Sequence, residues 1–373
     1  MKRKRFLQTC GPATRMALLA AAVLAAGCGQ RDWRTPDGAV VTGKIDYQKE
    51  PVTGRTYHLY VPTSYDPRRA YPLVITGHGM FPFDHAMLQR DRWVDVAEAN
   101  GLIVCSPDLD SATAFLHAKA GDPPSELLRD EKAVLAVLDQ VKRRYSIRED
   151  AVALTGWSAG GFAAQFIGLR HPETFRCIIG RTPNFSEHLV TDAQASRARD
   201  MHVYLFYGKG DMLPFEVMSH DAACWYSTRG FRNFTIKWLP GGHNPNQQEA
   251  SQYLLDLFEH WPSIRTHAGH RADEPATRIR FHARVNDPDA PDTSTATVVW
   301  NFGDDSTATG PVVVHDYARP GTYKVRAMAV DADGHCESTQ VRLAVGRRQE
   351  TAGSGLSNRT ASRAKGGRQG ERR

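Results

Sequence analysis

Between Thr56 and Pro262, short apolar runs alternate with longer segments whose apolar residues return every three or four positions. A continuous apolar run bounded by turn residues reads as a strand buried on both faces, and a three-to-four repeat as an amphipathic helix. The pattern predicts strands at Thr56–Val61, Pro72–Thr76, Leu102–Ser106, Ala151–Thr155, Cys177–Gly180, His202–Tyr207 and Phe234–Leu239. Between and after them it predicts helices at Met87–Ala99, Ser125–Arg144, Ala159–Arg170, Phe215–Thr228 and Gln247–His260. Strands and helices in this order imply a mostly parallel sheet covered by helices, an α/β architecture. Beyond Trp261-Pro262 the period changes to two, in Thr297–Phe302, Val312–Val314, Thr322–Ala327 and Gln340–Leu343, with Gly, Asp and Pro between. That pattern predicts a small immunoglobulin-like β-sandwich over 276–346, reached through a polar linker at 263–275.

The ends of the 373-residue chain are different in kind. Residues 1–27 carry Lys2, Arg3, Lys4, Arg5 and Arg15, then an uncharged apolar run from Met16 to Ala26 that is too short to span a bilayer. This is the form of a secretory signal. Leu24-Ala25-Ala26-Gly27-Cys28 resembles the bacterial lipobox, which implies a lipidated Cys28, a polar tether over 28–49 and attachment to a membrane facing periplasm or exterior. An ordinary signal peptide cut nearby is the plain alternative. Residues 347–373 hold one large aliphatic residue and much Gly, Ser and Arg, so a disordered basic tail is expected.

Charge changes the picture once it is located. The net +6 suggests a nucleic-acid or anionic-membrane partner. The first 27 residues contribute five units and the last 27 six, which leaves the body over 28–346 at −5. No specific nucleic-acid partner follows from an acidic body. The cysteines that remain after Cys10 and Cys28, namely Cys105, Cys177, Cys224 and Cys336, lack metal-site spacing and read as small buried hydrophobes. No metal and no cofactor is expected.

The candidate chemistry sits at strand ends. Gly156-Trp157-Ser158-Ala159-Gly160-Gly161 follows one predicted strand and opens the next helix. A serine at such an elbow is exposed above the sheet, with glycines admitting neighbouring backbone. A base and an orienting acid should follow in the order acid, then histidine. Asp211 lies in Gly208-Lys209-Gly210-Asp211 after the strand His202–Tyr207, and His243 in Gly241-Gly242-His243 after Phe234–Leu239. All three then emerge at one edge of one sheet, where sites of open α/β sheets form. Competing groups Asp192, Asp200, His220 and Asp221 fall in or beside helices. For a tetrahedral oxyanion, the backbone N–H of Ala159 is one expected donor and that of Met80 the other, with Gly79 as substitute. His78 is expected to be structural. The stretches Asp108–Pro124 and Arg181–Ser196 are expected to wall the pocket.

Pro72-Leu-Val-Ile-Thr-Gly-His-Gly79, the elbow, Tyr207-Gly-Lys-Gly-Asp211 and Gly241-Gly-His243 resemble the α/β-hydrolase superfamily over about 50–262, closest to its polyhydroxybutyrate depolymerase and feruloyl esterase-like branch. The resemblance implies a Ser158–Asp211–His243 triad and hydrolysis of carboxylic esters, on a polysaccharide or a polyester. Its oxyanion loop, His78-Gly79-Met80-Phe81, is less glycine-rich than is usual in that branch, and Trp157 is bulkier. Trp300-Asn-Phe-Gly-Asp-Asp305, His315-Asp-Tyr317, Pro320-Gly-Thr-Tyr323 and Val330-Asp-Ala-Asp-Gly334 resemble the PKD domain, which implies a spacer or a module contacting glycan or protein. Asp287, Asp289 and Asp292 read as solvated loop acids. A binding protein on a hydrolase scaffold and a serine peptidase are the alternative functions.

Overall fold

The computed structural model describes residues 40–346, apart from 112, 117, 118, 120, 272 and 289–295. The expected signal peptide, Cys28, the first part of the tether, Asp289, Asp292 and the basic tail lie outside the described residues.

Eight strands form the first sheet: β1 (Gly43–Lys49), β2 (Thr56–Val61), β3 (Tyr71–Gly77), β4 (Ile103–Pro107), β5 (Ile147–Trp157), β6 (Cys177–Arg181), β7 (His202–Gly208) and β8 (Asn233–Leu239). Their spatial order is β1-β2-β4-β3-β5-β6-β7-β8. The β1/β2 and β2/β4 pairs are antiparallel, and every pair from β4 to β8 is parallel. The helices are α1 (Ala86–Asp91), α2 (Val94–Asn100), α3 (Ser125–Arg144), α4 (Ala159–Arg170), α5 (Asp192–Arg197), α6 (Leu213–Thr228) and α7 (Gln247–His260).

Because successive strand residues point to opposite faces, the apolar runs feed two cores. Ile178, Val203 and Leu205 pack with Val134 and Val137 of α3 and Phe162 and Phe166 of α4. Cys177, Ile179, Tyr204 and Phe206 pack on the other face with Trp93, Ala97 and the α7 residues Leu254 and Leu257. Cys105 and Cys177 are fully buried, and burial pushes both thiols up. Cys224 is exposed, unlike the buried residue expected there.

Three expectations are corrected. The tether ends early: residues 43–49 form β1, an edge strand against β2. Its mostly exposed residues, with Ile45 as the aliphatic anchor, give it little hydrophobic signal. The helix expected over Met87–Ala99 is two helices that break at Arg92-Trp93. Trp93 is fully buried at the break, so burying it between the helices takes precedence over continuing one axis. The linker at 263–275 begins with a strand, described next.

The second unit holds β9 (Ser263–Gly269), β10 (Arg278–Asn286), β11 (Thr297–Asn301), β12 (Thr307–Thr309), β13 (Val312–Asp316), β14 (Gly321–Val330) and β15 (Cys336–Val345). Antiparallel sheets β13-β10-β9 and β12-β11-β14-β15 enclose Phe281, Trp300, Phe302, Val325 and Ala327. Residue β9 Ile264 and Ala268 face this core while Arg265 points outward, a period of two carried by too few large side chains to stand out. Trp300 Nε1 donates to Gly310 O at 2.7 Å, and Gly303 turns the chain at φ 78°.

The two units meet through buried charge. Glu337 of β15 pairs with Arg176, beside the start of β6, and its Oε2 lies 2.9 Å from Nε2 of His202, the first residue of β7. Burial alone would raise the Glu337 carboxyl, but Arg176 and His202 outweigh it and hold it below its usual range. Arg326 of β14 forks onto both oxygens of Asp200 at 2.8 and 2.7 Å, and Arg232 pairs with the same carboxylate. Trp261 stacks on His335 and meets His202 edge-on. This junction occupies the amino ends of β6 and β7. The carboxyl ends, on the opposite side of the sheet, are left open.

Candidate active site

Ser158 joins β5 to α4 with φ 54° and ψ −120°, a conformation that only a tightly determined turn imposes on a residue with a Cβ. Its N–H donates to Arg181 O at 3.0 Å, and its carbonyl accepts from Gly161 and Phe162 at 2.9 and 3.2 Å. The elbow closes because its glycines allow backbone contact. A Cβ on Gly156 would fall 2.2 Å from the Gly160 carbonyl, and one on Gly160 2.4 Å from that of Gly77. The side chain thus stands at the amino end of α4, where helix N–H groups favour negative charge.

The loops after β7 and β8 are bonded to each other through Lys209 N to Leu239 O and Gly210 N to Gly241 O, both at 2.8 Å. A side chain at Gly208 would strike the Gly242 carbonyl at 2.2 Å, so this contact needs the glycine. It brings Asp211 Oδ2 to 3.1 Å from His243 Nδ1. The Asp211 side chain is buried, and its Oδ1 accepts from Met212 N at 2.8 Å. A carboxylate at Nδ1 makes that nitrogen the donor and leaves Nε2 with the lone pair a general base needs. The imidazole rests 4.0 Å from the Phe215 ring and 5.4 Å from the Trp157 ring, which places it beside the elbow. Among the described residues Ser158 and His243 form no hydrogen bond with each other; in resting sites that bond is often long and tightens around substrate.

Three of the four competing groups are engaged elsewhere. Asp200 serves the domain junction, Asp192 pairs with Arg229 at 3.0 Å, and His220 stacks on Trp238 from α6.

The oxyanion loop is fixed by two side chains. His78 is buried; its Nε2 accepts from Leu109 N at 2.9 Å, so its Nδ1 carries the proton and donates to Gly79 O at 2.7 Å. In a trans peptide the N–H points opposite to the C=O, so anchoring the Gly79 carbonyl aims the Met80 N–H the other way. The Gly79 N–H is committed to buried Asp84, at 2.7 Å from Oδ2. Of the two candidate donors in this loop, only Met80 is open to a ligand. Among the described residues neither Met80 N–H nor Ala159 N–H has a protein acceptor. His78 is structural in that it holds the loop's shape. Asp84 was missed by sequence reasoning: a lone acid in a loop carries no signal until folding places it under Gly79.

The walls expected at 108–124 and 181–196 are tied to the body. Buried Asp130 of α3 accepts from Asp110 N and Ser111 N at 2.9 Å each, and α5 starts on a Thr191/Gln194 capping box. Around the site, large apolar side chains face solvent: Phe81 (76% exposed), Phe83 (77%) and Leu213 (69%), with Met80 and Met212 beside them. These two segments directly follow the candidate oxyanion donor Met80 and the candidate acid Asp211. Among the described residues no group of His, Cys, Asp or Glu is arranged to hold a metal ion.

Residues 103–203 match the prolyl oligopeptidase family, a span that includes Ser158 but stops short of Asp211 and His243. The strand order and that match agree. The body has the α/β-hydrolase fold. Residues 260–345 match the PKD domain, which starts at β9 and not at 276. The chain is also similar to the bifunctional acetylxylan esterase/xylanase XynS20E of Neocallimastix patriciarum, 28% identical over 116 residues. That match spans 31% of this chain and 16% of that protein. Among solved structures, a CE1 ferulic acid esterase from Anaeromyces mucronatus aligns at 18% identity and TM-score 0.41, over 61% of this chain and 93% of the other. Est1E from Butyrivibrio proteoclasticus aligns at 14% identity and TM-score 0.42, over 58% and 98%.

Proposed function

We propose that this α/β-hydrolase is a serine esterase that cleaves carboxylic esters through an acyl-enzyme on Ser158. The observation that carries the reading is the Asp211–His243 pair beside a strained Ser158, with the N–H groups of Met80 and Ala159 unclaimed. Ser158 Oγ attacks the ester carbonyl as its proton passes to His243 Nε2, and Asp211 stabilises the imidazolium. The carbonyl oxygen becomes an oxyanion held by Met80 and Ala159. Its collapse breaks the bond to the alcohol, which takes the proton from His243. Water, deprotonated by the same imidazole, then releases the acid and restores Ser158.

The exposed rim of Phe81, Phe83 and Leu213 supports an ester with an aromatic or other apolar group. The acetylxylan esterase relative supports an ester carried on a polysaccharide, with a polyester as the other substrate class. Export with a lipid on Cys28 belongs to the same reading, and a PKD domain docked behind the sheet leaves the open edge free for a polymer. The prolyl oligopeptidase match favours a second reading, cleavage of peptide bonds by the same three residues.

The test is hydrolysis of p-nitrophenyl acetate, methyl ferulate, acetylated xylan, a polyester film and a peptide p-nitroanilide by the wild type and Ser158→Ala. Ester turnover abolished by the substitution is the expected result. Turnover confined to the anilide moves the assignment to a peptidase. Inactivity on every substrate, with Ser158 unlabelled by a fluorophosphonate, leaves a binding scaffold.

A further inference from the structure

Arg181 is a buried charge that the triad does not use. It ends β6 with no measurable exposure, and each of its donors meets a neutral oxygen. Nε donates to Thr155 Oγ1 at 3.2 Å, Nη1 to Gln247 Oε1 at 2.8 Å, and Nη2 to Thr76 Oγ1 at 2.9 Å and Gln89 Oε1 at 2.6 Å. Among the described residues it forms no ion pair. A cation taken out of water without a counter-ion is costly and survives only when its hydrogen bonds are satisfied. Burial draws this guanidinium down to about 9.

From this cation two lines of hydrogen bonds reach the two oxyanion donors. Along the main chain, Arg181 O accepts from Ser158 N, immediately before Ala159. Through side chains, Gln89 accepts from Arg181 and donates its Nε2 to Asp84 Oδ2 at 2.6 Å. The same Asp84 oxygen accepts from Gly79 N, and the next N–H along the chain is that of Met80.

We infer that Arg181, acting through Gln89 and Asp84, positions the oxyanion hole of this enzyme: it holds the Met80 and Ala159 donors in fixed relation and sets a buried positive charge, with no direct ion pair among the described residues, behind them. Asp84, which Arg181 reaches only through Gln89 and which also faces Arg92 at 3.4 Å, offsets this charge in part, and the negative charge that develops on the ester oxygen is attracted by what remains. Such a charge does nothing for a neutral ester and acts when the tetrahedral anion forms, so its effect falls on kcat and not on KM. The inference rests on the esterase reading.

The experiment uses the full chain. Wild type and Ser158→Ala on p-nitrophenyl acetate come first, because a failure there overturns the esterase reading and not this device. With activity in hand, Arg181→Met is expected to lower kcat about 100-fold while KM stays within about threefold, and Arg181→Lys to recover about tenfold of the loss. An alkyl trifluoromethyl ketone reads the same effect at equilibrium. Ser158 Oγ adds to its carbonyl carbon, the proton moves to His243, and the oxygen is left anionic, so its affinity should fall in proportion to kcat. A folded Arg181→Met enzyme with kcat within about threefold of wild type, or with unchanged ketone affinity, overturns the inference. If that variant does not fold, Gln89→Leu decides: a loss of about tenfold or more in both readouts supports the device, and less than about threefold in either overturns it.

Discussion

Asp211 Oδ2 sits 3.1 Å from His243 Nδ1 although the two residues lie in different loops, because those loops share backbone hydrogen bonds at Gly210–Gly241 and Lys209–Leu239. An amide at 211 would present a donor to Nδ1 and favour the tautomer with the proton on Nε2, where it cannot accept from Ser158. Asp211→Asn is therefore expected to lower kcat by about three to four powers of ten, with little change in KM and no loss of fold. Steady-state kinetics on p-nitrophenyl acetate with far-UV circular dichroism checks it; a loss below about tenfold would remove Asp211 from the mechanism.

The apolar rim gives a prediction about substrate. Phe81 and Phe83 are exposed on both sides of Pro82, next to the candidate oxyanion donor Met80. Phe81→Ala with Phe83→Ala should raise KM for methyl ferulate about fivefold to twentyfold and leave p-nitrophenyl acetate within about twofold. Equal effects on both esters would mean that the rim shapes the site and does not bind substrate.

The domain junction predicts a large stability effect far from the site. Removing Glu337 leaves the buried Arg176 without its carboxylate and His202 without its partner. Glu337→Ala should destabilise the chain by about 3–5 kcal/mol in urea unfolding, because an uncompensated buried charge costs more than the pair contributes. Ester hydrolysis at 25 °C by the folded fraction should be unchanged, since the junction lies at the other ends of β6 and β7.

A pH dependence follows from His171, which caps the carboxyl end of α4. Hydrogen bonds to Glu131 at 2.7 Å and to Glu173 raise it to about 9, against the opposing effect of burial. A group raised in the folded state stabilises fully below its unfolded value, near 6.5, and that contribution is lost as pH climbs through 9. Melting temperature should decline between these values by an amount equivalent to on the order of 1 kcal/mol. His171→Asn should be less stable at pH 6 and show a flatter profile.

Much of this was legible in the chain. The bounds of α3, α4 and α7 follow from periodicity and a strand-to-helix elbow, and the order Ser158, Asp211, His243 follows from what three parallel strand ends must carry. What could not be read has physical causes. β1 and β9 are strands whose pairing partners, not their own side chains, make them strands. The break at Trp93 has no glycine or proline to announce it. Asp84, Gln89 and Arg181 come from separate segments, and their hydrogen bonds exist only once β3, α1 and β6 are packed. An arginine ending the apolar run Cys177-Ile178-Ile179-Gly180 was the one available hint.

The most direct measurement is mass spectrometry of the intact chain during turnover of p-nitrophenyl acetate, followed by peptide mapping. A transient gain of one acetyl group located on Ser158, absent in Ser158→Ala and persistent in His243→Ala after slow acylation, is the expected result. Steady turnover with no acyl group on Ser158, or with acetyl on another residue, would overturn the serine-esterase assignment.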